Sequence, residues 1–214
     1  MQPTRSKRLY RSTKRQAQAV ETRHQIVEGA RKLFIERGYT GATIEAIAQE
    51  AGVAPETIYA TFGSKRSILA RLIDVSVGGD DKPIPLLQRP GPQSVLQEQD
   101  PCRQVELFAQ DITGILERVS PVFEIMRLAA MSEPDIALLL HKLLKARLHN
   151  MEIFIHHLVE HGPLREGVDE RSAAETVWTI TSPEVFRLLT GERGWTKQQY
   201  IDWLAGTLIR LLLP

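Results

Sequence analysis

Residues 43–62 read TIEAIAQEAGVAPETIYATF, and this stretch decides the fold. Ile44, Ile47, Ala48 and Ala51 fall at i, i+3, i+4 and i+7, the apolar stripe of one short amphipathic helix. Gly52 follows, where a residue without a side chain takes positive φ at no steric cost and ends that helix. Pro55 suits the first position of a second helix, because the N–H it lacks has no intrahelical partner there, so this helix begins near Ala54. Val53 and Ile58 complete a small core, which leaves Pro55, Glu56, Thr57, Tyr59, Ala60 and Thr61 for an outward surface. Two short helices joined by a tight turn make a helix-turn-helix, and DNA is the first partner to consider.

Working outward, residues 22–38, TRHQIVEGARKLFIERG, put Ile26, Val27, Ala30, Leu33 and Phe34 on one helix face, with Gly38 placed to end it. Downstream, FGSK at Phe62–Lys65 opens a fourth helix over about residues 64–77, which ends at Gly78–Gly79. The segments RHQIVEGARKLFIERGY, TIEAIAQEAGV and ETIYATFGSKRSIL together resemble the N-terminal domain of the tetracycline-repressor (TetR) family of transcriptional regulators, over residues 22–72. The resemblance implies phosphate contacts at Thr43, Tyr59 and Lys65, and base-reading positions at Ala54, Pro55, Glu56, Thr57 and Thr61.

The chemistry of those residues agrees in part. A hydroxyl or backbone N–H at a helix N-terminus is a natural phosphate site, and Lys65 adds a full charge. Ala54, Pro55 and Ala60 carry no hydrogen-bonding side chain, so base readout is expected to be thin, through thymine methyls, the Thr57 and Tyr59 hydroxyls and DNA shape. Glu56 reads more simply as a solvated charge beside the helix dipole than as an acceptor for a cytosine amino group. For Tyr59, phosphate contact stands against an aromatic ring that only packs between helices.

Charge distribution leads to DNA independently. Residues 1–70 hold 12 Lys+Arg against 6 Asp+Glu, while the remainder holds 15 against 20, so a whole-chain net charge of +1 conceals a basic N-terminal third. Arg5, Lys7, Arg8, Arg11, Lys14 and Arg15 precede the first acid, Glu21. A segment of this composition is expected to be a disordered arm, 1–21, in which Arg5, Arg8 and Arg11 track phosphates or enter the minor groove. It contains no apolar core of the kind a secretory signal needs.

With 214 residues and 43% hydrophobic content, the chain has material for a second domain, 73–214. No run of apolar residues is long enough for a membrane span, and one cysteine, Cys102, gives no disulfide framework, so a cytoplasmic protein without membrane contact is expected. Residues 78–100 carry prolines at 83, 85, 90 and 92 and are expected to form a mobile loop. Beyond them the chain reads as helices at 101–118, 121–131, 134–161, 170–190 and 196–213. Asp100–Pro101 and Ser120–Pro121 look like helix starts, Thr196 with Gln199 forms a capping box, and Pro183 should kink or split its helix. The expected fold is all-α, a helix-turn-helix DNA-binding domain followed by a helical bundle for ligand binding and dimerisation.

The last helix is apolar on nearly every side, and a partner subunit would cover what its own domain does not. The segment TSPEVFRLLTGERGWTKQQYIDWLAGTLIRLLL resembles the dimerisation helices of TetR-family members, which implies an interface through Val185, Leu188, Leu189, Trp203, Leu204, Leu208 and Leu211 of a homodimer. Two recognition helices held this way would read a palindromic double-stranded operator, with half-sites spaced by roughly 34–36 Å or an extension of that spacing. Phe108, Ile112, Phe123, Met126, Phe154 and Trp178, with Arg127, His157 and Thr181 as orienting groups, are candidates for a pocket holding a small, largely apolar ligand. His157 and His161 stand at i and i+4, but no third metal ligand is evident and no cofactor is expected. No GxSxG, HExxH or Walker A pattern occurs, so an enzyme is not expected. The reading is a ligand-responsive transcriptional regulator, most simply a repressor released by its ligand. A constitutive architectural DNA-binding protein is the alternative.

Overall fold

The computed structural model describes the backbone from Arg5 to Pro214 and the side chains from Ala17 onward. Among these residues there are helices and no strands, and the chain divides into two compact units, Met1–Leu72 and Ile73–Pro214. Helix α4 (Lys65–Gly78) contributes residues to both.

The first unit holds α1 (Arg5–Gly41), α2 (Ile44–Ala51), α3 (Pro55–Phe62) and the start of α4. Gly38 breaks α1 with φ 69° and ψ 176°, a conformation open to glycine, and one further turn leads to α2. Thr43 caps α2 by accepting from Ala46 N at 3.1 Å. Gly52, at φ 67°, ends the helix and donates to Ala48 O and Gln49 O. Ala54 is the N-cap of α3 with Pro55 at its first turn. Ile26, Ala30, Phe34, Ile47, Ile58, Ile68 and Leu69 are all at 0% exposure, one core shared by four helices. Each of the Ile, Leu and Phe side chains contributes roughly 1.5–3 kcal/mol relative to exposure. The α1–α2 crossing is close: a Cβ on Gly29 would stand 3.3 Å from Ala51 N.

The basic arm departs from expectation. The backbone is helical from Arg5, so the expected disorder is not found over 5–21, while residues 1–4 and the side chains of Arg5, Arg8 and Arg11 lie outside the described residues. No Gly or Pro occurs between Arg5 and Glu28, and the composition is rich in Arg, Lys, Gln and Ala, so α1 propagates outward from its packed part. Ala17 to Glu21 are exposed on every side, consistent with a helix sustained by propensity and not by packing.

In the second unit, α6 (Pro101–Ala130) packs against α5 (Pro90–Gln97), α7 (Pro134–His161), α9 (Pro183–Arg187) and α10 (Lys197–Leu212), while α8 (Glu170–Ile180) lies on α7. Asp100 caps α6 through Arg103 N at 2.7 Å. The expected break at Ser120–Pro121 is absent. Ser120 donates its hydroxyl back to Leu116 O at 2.6 Å, and Leu116, Val119, Val122, Phe123 and Met126 carry a buried stripe straight through the proline. Continuous burial on both sides keeps one helix where local capping chemistry suggested two. Pro183 does split its helix after Ser182, and a π-helical turn at Leu188–Glu192 follows α9. The Thr196–Gln199 capping box opens α10.

The segment 78–100, expected as a mobile loop, is structured. A 3₁₀ turn (Leu86–Gln88) leads into α5, whose Pro90 sits in the first turn where no N–H is needed. Arg89 organises the rest, donating to Gly78 O at 2.7 Å and Lys82 O at 3.1 Å and pairing with Asp80 at 2.9 Å. From α6, the buried Gln104 donates to Val95 O at 3.0 Å. Side chains thus satisfy the backbone acceptors that irregular structure leaves open.

Candidate nucleic-acid interface and ligand cavity

On α3, Ile58 is fully buried while Ala54, Glu56, Tyr59 and Ala60 are exposed and Pro55, Thr57 and Thr61 half-buried. The helix therefore anchors through one side and presents the other. Tyr59 is 51% exposed, an aromatic ring in solvent and not one enclosed between helices. Thr61 donates its hydroxyl to Thr57 O at 2.7 Å, which leaves the oxygen lone pairs to accept. Thr43 is exposed at the N-terminus of α2 and already accepts from Ala46 N, so its hydroxyl hydrogen is the group available to a phosphate.

Lys65, for which the resemblance implied a phosphate contact, is half-buried. Its ammonium donates to Tyr39 O at 2.8 Å and stands 4.3 Å from the Tyr39 ring centroid, bracing the turn after Gly38 against the start of α4. Ser64 caps that start through Ser67 N at 3.2 Å. The sequence showed a lysine at a helix start; it gave no signal that Tyr39, 26 residues earlier, would hold it.

The second unit contains a cavity of about 50 Å³ enclosed by the segment Leu86–Leu96, α6 and α7. Phe108, Ile112 and Phe154 line it as expected, and the two phenyl rings stack at 4.0 Å. The other expected residues are elsewhere. Phe123 and Met126 are core; Arg127 pairs with Glu184 on α9 and lies over the Phe123 ring; His157 pairs with Glu160 at 3.1 Å. Thr181 is buried, donating to Val177 O at 2.7 Å and accepting from Arg147 at 2.9 Å. Arg147 also donates to Trp178 O and stacks on its ring, so Trp178 and Thr181 belong to a clamp between α7 and α8. Burial pulls the Arg147 guanidinium down to about 10, still cationic at neutral pH.

Sequence reasoning missed the cavity's polar groups, Asp111 and Asn150. Burial pushes the Asp111 carboxyl above the ordinary carboxylate range, against the opposing influence of Arg118. The signal was present: Asp111 is an acid one position from Ile112, inside the apolar run of α6.

Of the expected interface residues, Leu204 and Leu208 are at 0% exposure within the protomer. With Tyr200 and Leu212 they form the i, i+4 face of α10 directed into its own core, so they are not interface residues. Leu188 and Leu211 are 46% and 43% exposed; Val185, Leu189 and Trp203 are half-buried.

The comparisons with known proteins converge on these features. Residues 26–72 match the family described as "Bacterial regulatory proteins, tetR family". The transcriptional regulator HbdR of Aromatoleum sp. (strain CIB) is 53% identical over 49 residues, 23% of this chain and 21% of that protein. The transcriptional repressor BepR of Brucella suis is 29% identical over 184 residues, 83% of this chain and 85% of that protein. The match thus spans a fifth of HbdR and most of BepR. The solved structure of the regulator FadR from Bacillus subtilis, in complex with stearoyl-CoA, shares the fold with a TM-score of 0.69 at 20% identity, over 87% of this chain and 97% of that one. Residues 26–72 are thus similar to the tetR family of bacterial regulatory proteins, and the chain shares the all-α fold of solved regulators of that kind. Among the described residues no helix is long and apolar enough to cross a membrane.

Proposed function

We propose that the protein is a cytoplasmic repressor that binds a palindromic DNA operator as a homodimer and leaves it when a small, largely apolar molecule enters the second unit. The observation that carries the reading is the division of α3 into a buried Ile58 and an outward row from Ala54 to Thr61, on a basic N-terminal third. In this reading α3 enters the major groove, Thr43, Tyr59 and Lys65 contact phosphates, and the arm with Arg5, Arg8 and Arg11 adds sequence-independent attraction. Thymine methyls facing Ala54, Pro55 and Ala60, together with DNA shape, supply the sequence preference.

Repression is favoured by the name of BepR, and a ligand by the cavity, whose walls are apolar apart from two polar side chains. The exposed Leu188 and Leu211 supply apolar surface for the partner protomer. The test is a fluorescence-anisotropy titration of the purified protein against DNA tiles from upstream of its own gene, with the stoichiometry of each complex measured. Dimeric binding to one palindromic tile is expected. Equal, weak binding to every tile would favour a constitutive architectural protein.

A further inference from the structure

The cavity among α5, α6 and α7 contains one acid and no base. Among the described residues no hydrogen bond or ion pair reaches the carboxyl of that acid, Asp111. Its position is built in: a Cβ on Gly91 of α5 would collide with Asp111 Oδ1, so the carboxyl is seated against bare backbone. Around it the walls are Leu87, Leu96, Ile112 and the stacked Phe108–Phe154 pair. A half-buried carboxylate in such surroundings loses part of its hydration and is only partly compensated by the charge of Arg118, with no hydrogen-bond donor replacing the lost water. An opposite charge brought in with an apolar body restores the compensation, and the phenyl faces add attraction for a cation.

We propose that this cavity takes an apolar ligand bearing one cationic nitrogen, with Asp111 as its counter-charge and the Phe108–Phe154 pair against its apolar body. The proposal rests on the reading of the chain as a ligand-responsive regulator and adds the charge of the ligand. At about 50 Å³ the cavity is well below drug-ligand size, so binding displaces the segment Leu86–Leu96. Arg89 ties that segment to Gly78 O at the end of α4, which gives the displacement a mechanical output.

The experiment uses the full chain and three probes of one shape and different charge: phenylbutylamine, phenylbutanol and phenylbutyrate. Calorimetric titration is expected to rank the amine tightest, by about tenfold over the alcohol, a difference of roughly 1.4 kcal/mol, with the carboxylate weakest. In Asp111→Asn the amine should fall to the level of the alcohol while alcohol binding stays unchanged. A thermal midpoint at or above that of the native protein shows that this loss is not unfolding. The proposal is overturned if alcohol or carboxylate binds as tightly as the amine, if the preference survives in Asp111→Asn, or if none binds at millimolar concentration. Operator release, read by anisotropy on the same samples, separates the two readings. Release by the alcohol without amine preference contradicts the charge assignment and leaves the regulator reading intact. Amine preference without release supports the site and contradicts ligand control.

Discussion

Arg118 on α6 caps the last turn of α4: its Nε donates to Ser76 O at 3.0 Å and its Nη2 to Val77 O at 3.2 Å. Arg89 takes the next carbonyl, Gly78 O. Three consecutive acceptors that no helical N–H can reach are thus held by two arginines from the second unit. α4 is one continuous helix from Lys65, and in the proposed function it is the covalent route from the second unit to the first.

Replacing Arg118 with Met keeps most of the packing and removes both donors. The expected result is a stability loss of about 1–3 kcal/mol, with operator affinity retained and the ligand concentration needed for release raised. Thermal unfolding and anisotropy measure these quantities. An unchanged ligand response would show that the Arg118 cap does not transmit.

Leu208 and Leu211 test the two faces of α10. Leu208→Asp places a charge in the protomer core and is expected to cost more than 4 kcal/mol, on the order of the most damaging single substitutions. Leu211→Asp should leave the protomer folded and shift the dimer toward monomer in light scattering. A monomeric, fully folded Leu208→Asp protein would contradict the assignment of that residue to the core.

Asp111 predicts a pH dependence of stability. Its folded-state pKa is raised by burial, with Arg118 opposing, so the folded chain holds this proton more tightly than the unfolded chain. The associated stability is fully present below the unfolded value of about 3.9 and is lost as pH rises through the folded value. Asp111→Asn, which does not titrate, should therefore be more stable than the native protein at neutral pH, with the gap closing as pH falls toward 4. Denaturant unfolding across that range is the check, and a native protein more stable than the variant at pH 7 contradicts it.

The reader was legible in the sequence because its signals are local. The Ile44–Ala51 stripe, Gly52 and Pro55 each act within one turn, and α2 and α3 begin and end where they direct. What was not legible depends on partners distant in sequence. Arg89 structures a proline-rich stretch by reaching Gly78, the packing of Leu116 to Met126 overrides a plausible helix start at Ser120, and Leu208 is core because α10 lies on α6. The ligand candidates divided the same way: residue type identified Phe108, Ile112 and Phe154, and missed Asp111, whose role is set by what surrounds it.

Lys65 braces Tyr39 and has a proposed phosphate contact, and one substitution tests both. Loss of the bond to Tyr39 O in Lys65→Met should cost roughly 1 kcal/mol of stability. Loss of a phosphate contact should also weaken all DNA sequences about equally and reduce the slope of log affinity against log salt by about one. A stability change with an unaltered salt slope would assign Lys65 to the Tyr39 brace alone.

The central claim is that the exposed face of α3 reads an operator, and the most direct measurement is a salt-varied anisotropy titration of the native protein and Tyr59→Ala on one palindromic tile and one scrambled tile. Tyr59 is exposed and its removal leaves the core intact. The account predicts selective, salt-dependent binding by the native dimer, and a loss of at least tenfold on the palindrome in the variant, roughly 1.4 kcal/mol, with its thermal midpoint unchanged. Equal affinity of the native protein for both tiles, or a Tyr59→Ala protein that binds the palindrome as tightly as the native one, would contradict it.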